Sequence, residues 1–185
     1  MNKTVKIILI IVVTIIIIFI VRACYLSYVY SSYNDLVNHE FDVKSAWSQV
    51  EGQYQRRIDI IKNISYNINK TSKNTTSQIQ DLTSTVDSLS NIKMDPKDSI
   101  SIQNYVIAQE IIFERAQSVL ELENHLEDFK LQLEGSENRI SSSLKSYNEV
   151  VTSYNSTIQK FPKSVISKMF GFTNYPIISI PQEAN

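Results

Sequence analysis

The sequence predicts an all-α protein: a single N-terminal transmembrane helix followed by an antiparallel bundle of four helices, or of three long ones. Three observations predict it. Residues 7–21 are fifteen consecutive uncharged residues, nearly all Ile or Val. Glycine and proline are scarce, three and four in 185 residues, and only Gly52 interrupts residues 26–95, so tight turns between strands have few places to form. Beyond residue 40 the apolar residues recur at spacings of three, four and seven, the periods of packed helices.

Residues 1–6 form a short N-terminal flank and residues 7–30 the transmembrane helix with its interfacial segment. The apolar run from Ile7 to Val21 covers only about 22 Å of a hydrocarbon core that is roughly 30 Å thick. Snorkelling of Lys6 and Arg22, and continuation through Ala23 to Tyr30, make up the rest, and Tyr25, Tyr28 and Tyr30 suit the interface. A cleaved signal peptide and a lipoprotein acylated at Cys24 are the rival readings. Arg22 stands where a small-residue cleavage site would be needed for either. Lys3 and Lys6 precede the span and only Arg22 follows it before Lys44, which favours the N-terminus in the cytoplasm and the remaining chain outside.

Residues 31–162 read as the bundle. On a first helix from about Tyr33 to Lys70, residues Val43, Trp47, Val50, Tyr54, Ile61, Ile64 and Ile68 form one stripe. The polar run 71–77 breaks it, and Ile79, Leu82, Val86, Leu89 and Ile92 give a shorter second helix. Asp95 is placed to cap the next one with Pro96 at its first position. From Ser99 to Lys160 no proline occurs, and a turn is expected near Ser118 to Asn124 because one helix of that length would leave its apolar face uncovered. The last seam is regular: Leu126, Leu133, Ile140, Tyr147, Tyr154 and Phe161 recur every seven residues, with Leu144, Val151 and Ile158 four further on. Residues 163–185 form an apolar tail expected to pack back on the bundle, its alternative being a membrane or partner contact.

These blocks carry a resemblance. A membrane anchor followed by Trp47-Ser48-Gln49-Val50, Gln55-Arg56-Arg57-Ile58-Asp59 and Asn63, then Leu133 to Ile140, Tyr147-Asn148, Tyr154-Asn155, Phe161-Pro162 and Phe170-Gly171-Phe172, resembles the LemA family of bacterial membrane proteins. The likeness runs from about Leu36 to Phe172. It implies one N-terminal membrane helix and an antiparallel helical bundle with no known catalytic activity. Three departures stand out. Lys62 replaces a proline before Asn63, which predicts an unkinked first helix. Gln117-Ser118 replaces the Tyr-Pro that marks the turn into the last helix. Ile177-Ile178 replaces an aromatic near the C-terminus.

Several functions are excluded. Three glycines, at 52, 135 and 171, cannot build a phosphate-cradling loop, and one cysteine cannot build a disulfide framework or a Cys-based zinc site. Residues 31–185 carry 15 basic and 19 acidic side chains, a poor match for nucleic acid. His39 and His125 have no metal-ligand spacing, and no serine has a base and an orienting acid signalled beside it. No cofactor, metal or catalytic residue is expected.

The residues that interrupt the seams are more informative. Seven-residue steps from Val43 reach Val50, then Arg57, then Ile64, and four after Leu133 comes Glu137. With two helices antiparallel and their ends aligned, position 57 faces position 136, so Arg57 and Glu137 are expected to meet inside the bundle and to fix its register, or else to snorkel to its edge. Tyr147-Asn148 and Tyr154-Asn155 repeat at seven: the tyrosines are expected to pack and the asparagines to hydrogen-bond neighbouring helices or backbone, the alternative being a peptide-binding groove. The functional expectation is a non-enzymatic scaffold or adaptor in the bacterial cytoplasmic membrane, held by the bilayer through 7–30 and partnered by other membrane or envelope proteins. A homo-oligomeric coiled coil and a regulatory subunit of a membrane protease or transporter are the alternatives.

Overall fold

The computed structural model describes residues 3–71, 76–90, 92, 94–122 and 126–179; His125 and Ser72 lie outside them. Helix α1, Lys3–Thr71, is one uninterrupted element of 69 residues, about 100 Å long at about 1.5 Å per residue. The sequence expectation of a separate helix from Tyr33 is corrected here. Nothing between Arg22 and Leu36 is a helix breaker, so the apolar segment and the first bundle helix are one rod. It also passes Lys62 without interruption, where a proline would have removed a backbone donor. The N-terminal part of α1 is the one candidate membrane span among the described residues; its most apolar window has a mean hydropathy of 3.3 and is 0% buried.

Helix α2 (Thr76–Ser90), α3 (Ser99–Glu121) and α4 (Glu127–Gln159) complete the bundle. The main pairing is α1 against α4. Trp47 stacks edge-on against Tyr147 with ring centroids 5.5 Å apart, and Arg57 Nη2 donates to Glu137. Ten residues forward on α1 therefore match ten back on α4. The same step sets Val43 level with Val151, Val50 with Leu144, Tyr54 with Ile140 and Ile61 with Leu133, all of them buried. Each such side chain contributes about 1.5–3 kcal/mol by leaving water, and a slip by one residue would mismatch the whole seam at once.

One helix start differs from the sequence expectation. Asp95 does not cap α3. Asp95-Pro96-Lys97-Asp98 instead forms a turn, in which Asp98 N donates to Asp95 O at 3.0 Å and Lys97 N to Asp95 Oδ1 at 2.9 Å; Asp at the first and Pro at the second turn position favour that geometry. Asp98 is thereby the cap, accepting from Ile100 N at 3.1 Å and Ser101 N at 3.3 Å. The turn before α4 begins at Leu122, inside the expected stretch from Ser118 to Asn124. Gln117 and Ser118 stay helical, with Ser118 Oγ donating to Glu114 O at 3.0 Å, and α3 ends at Glu121 because nothing at 117–118 removes a ladder hydrogen bond.

The seam of α4 stops at Ile158, and Phe161, expected on it, is 84% exposed. Pro162 lacks the N–H that would continue the ladder, so the chain leaves the helix axis there. The apolar tail begins with a further helix, α5, Lys163–Phe170, closed by Gly171 in the left-handed region at φ 77. Residues 172–179 then run extended along the bundle, with Tyr175 and Ile178 buried.

Candidate functional site

Two polar arrangements interrupt the apolar interior. The first centres on Arg57, which is fully buried. Its Nη1 donates to the Gln109 carbonyl at 3.2 Å and to Glu110 Oε1 at 3.3 Å, and its Nη2 to Glu137. The guanidinium carbon lies 4.7 Å from the Phe113 ring centre, so apolar and charged neighbours hold the same cation. Arg57 comes from the α1 stripe, Glu137 from the α4 seam, and Glu110 from α3. The cluster thus ties three helices at one level. Burial pushes the Glu110 carboxyl up despite the nearby Arg57, and the Glu137 charge pushes it the same way. Burial also raises the Tyr54 phenol beside Arg57.

Sequence reasoning found Arg57 and Glu137 but missed Glu110. A signal was available. Gln109 is buried on the α3 face shared with Ile102, Val106 and Ile112, a polar interruption of the kind that marked the other two helices, and Glu110 is its neighbour.

The second arrangement joins α4 to the extended tail. Asn148 Nδ2 donates to Ile178 O at 2.7 Å while Ile178 N donates to Asn148 Oδ1 at 2.9 Å. Asn155 repeats the pattern with Tyr175, at 2.8 Å and 3.0 Å. The spacings are commensurate: seven helical residues rise about 10.5 Å and three extended residues about 10 Å. Each asparagine amide satisfies one N–H and one carbonyl that an extended segment would otherwise leave unpaired. The tyrosines lie beneath: Tyr154 packs edge-on to Tyr175 at 5.4 Å, and Tyr147 Oη donates to Pro176 O at 3.4 Å. Burial pushes both phenols, Tyr147 and Tyr154, up to about 12.

Glu40 of α1 closes this arrangement. It accepts from Tyr175 Oη at 3.1 Å and pairs with Lys97 Nζ at 2.7 Å, so one carboxylate joins α1, the turn before α3 and the tail. Burial pushes the Glu40 carboxyl up, but the hydrogen bond and charge of Lys97 outweigh it and the net direction is down. Nearby, Lys163 holds Asp35 below its ordinary value through a direct hydrogen bond.

Neither arrangement contains a serine or cysteine hydrogen-bonded to a base. Among the described residues no group of three His, Cys, Asp or Glu side chains could hold a metal. His39 stands 3.8 Å from Asp35 on the same helix, and Cys24 is exposed on the apolar segment. The surface adds one further feature, an apolar stripe on the outer face of α3: Ile100, Ile107 and Ile111 are 74%, 48% and 43% exposed and fall on one side of the helix. A shallow groove between α2 and α3, lined by Ser84, Ser88, Leu89, Ala108, Ile111 and Arg115, runs alongside it.

Fold and interior together define an all-α bundle built on a helix long and apolar enough to cross a membrane, with an ion-paired cluster in its core. The model of the LemA family matches residues 46–185. The chain belongs to the LemA family. That family is not a known enzyme family. A search of the curated proteins finds no match to the chain.

Proposed function

We propose that this chain is a single-pass, non-enzymatic protein of the bacterial cytoplasmic membrane, anchored by residues 7–30, and that its bundle is a scaffold on which other membrane or envelope proteins assemble. The observation that carries the scaffold reading is the isoleucine stripe of α3. Three β-branched apolar side chains on one face, left 43–74% exposed, form the kind of surface that a partner helix covers. Anchoring is supported by an apolar window that the bundle does not bury and by Lys6 and Arg22 at its ends. The lysines ahead of the span favour the N-terminus in the cytoplasm and the bundle outside. The Arg57 cluster serves register, since a packing that strands a charge without its partner is penalised.

A photo-crosslinking residue placed at Ile107 in growing cells tests the scaffold reading. The reading predicts adducts of defined mass with other membrane proteins, lost when Ile100 and Ile111 are changed to Asp and not formed from Glu134 on the exposed side of α4. Adducts only at twice the chain mass would replace the scaffold with self-assembly. Equal labelling from positions 107 and 134 would remove the α3 stripe as a docking face.

A further inference from the structure

We infer that α5 is an interfacial helix lying on the same bilayer that α1 crosses, with Phe161, Val165 and Met169 in the headgroup region and Lys160 and Lys168 facing anionic lipid. The inference rests on the anchored reading of residues 7–30. Three features of the fold place α5 there.

The first is height. Starting from Ile7, a hydrocarbon core of about 30 Å takes about twenty residues and ends near Leu26. Helix α5 meets α1 a short way beyond: the Phe170 ring lies 4.8 Å from Tyr33, and Lys163 pairs with Asp35. Tyr33 is about 10 Å past Leu26 along the axis, within the combined reach of the headgroup layer and a helix radius.

The second is direction. The two ends of α5, Lys163 and Phe170, meet α1 at positions two residues apart, about 3 Å of axial rise, whereas α5 itself is about 10 Å long. The short helix therefore crosses α1 steeply and lies near the plane of the membrane, as interfacial helices do.

The third is which face looks down. Ile166 and Ser167 are the buried residues of α5, and Ser167 Oγ donates to the Ile158 carbonyl at 2.8 Å. That carbonyl is among the last of α4, with no N–H at Pro162 to receive, and such carbonyls point out of the helix end along its axis. Because α4 runs antiparallel to α1, its end points toward the span. Ser167 thus occupies the membrane side of α4, and the face opposite is turned further toward the bilayer. On that face stand Val165 and Met169, four apart and 57% and 59% exposed, with Lys168 beside them; Phe161, just ahead of the helix, is exposed as well. Apolar side chains flanked by lysines on a helix in this attitude match an anionic lipid surface.

Depth-dependent quenching tests the inference on the full chain. Single cysteines at Val165, Ser153 and Ile16, each in a Cys24→Ser background, carry an environment-sensitive fluorophore, and the protein is reconstituted in vesicles of phosphatidylglycerol and phosphatidylcholine containing a shallow spin-labelled lipid. Position 165 should be quenched at least threefold more than position 153, which stands about 9 Å higher on α4, and adding Met169→Asp should reduce that difference. Quenching at 165 equal to that at 153, with 16 still quenched by a deep spin label, overturns the inference and leaves the anchor standing. If 16 escapes the deep label, the anchored reading falls and the inference with it. Shielding of 165 from water without quenching by lipid would mean a protein covers α5, and it too overturns the proposal.

Discussion

Replacing Asn155 with Asp changes one atom of the tail contact and reverses its polarity. The carboxylate can still accept from Tyr175 N, now at 3.0 Å, but it sets an acceptor against the Tyr175 carbonyl that Nδ2 reached at 2.8 Å. One hydrogen bond is lost, at a net cost of about 1 kcal/mol, and a partly buried carbonyl is left unpaired, at a cost of about 1–3 kcal/mol. The low end of the combined loss, about 2 kcal/mol, corresponds to a roughly 30-fold rise in local opening at about 1.4 kcal/mol per tenfold. Amide hydrogen exchange reads it directly: Tyr175 and Ile178 should exchange about 30-fold faster, while amides around Leu144 in the middle of α4 keep their protection. Exchange at Tyr175 within threefold of the parent, with the bundle intact, would mean that the asparagine pairs do not hold the tail.

Further outcomes follow from the same contacts. Arg57→Met leaves the Glu110 and Glu137 carboxylates together without their cation, and should cost about 3–5 kcal/mol in denaturant unfolding; adding Glu137→Gln should recover part of the loss, with a coupling of about 1–3 kcal/mol. Additivity within about 0.5 kcal/mol would show that the two residues act independently. A charge exchange between 57 and 137 is a poorer probe, because a carboxylate at 57 would face Glu110. Trp47→Ala empties the space against Tyr147 and should cost about 3–5 kcal/mol by the same unfolding assay. Asp35 and Glu40 both have lowered pKa values, so their contribution is present above the ordinary carboxylate range and is lost as pH falls through it. Hydrogen exchange below about pH 4 should therefore show α5 and the tail releasing before α1 and α4.

The helical seams were legible because their periodicity is a direct trace of packing: the α1 stripe and the α4 heptads name most of the buried residues. The position-57 level was legible for the same reason, since a charge in an apolar period is conspicuous. Its third member was not, because Glu110 sits one residue off its own seam and only its distance from Arg57 in space reveals it. The Tyr-Asn repeat announced a paired face without its occupant, since nothing in residues 172–179 marks them as extended until Asn148 and Asn155 are seen across from Ile178 and Tyr175. Helix α5 escaped because eight residues are too few to show a period. The misplaced cap arose because Asp95 and Asp98 carry the same local signal, and the turn through Pro96 decides between them.

In the proposed reading α1 is one rod with its apolar part inside a bilayer and its bundle outside the cytoplasm. Thiol accessibility at two positions tests both parts of it, with Ile16→Cys in the span and Ser153→Cys on the exposed side of α4, each in a Cys24→Ser background. With a membrane-impermeant maleimide, position 153 should label in intact cells and position 16 only after denaturation in detergent. Labelling of position 16 in intact cells, or of position 153 only after lysis, would contradict it.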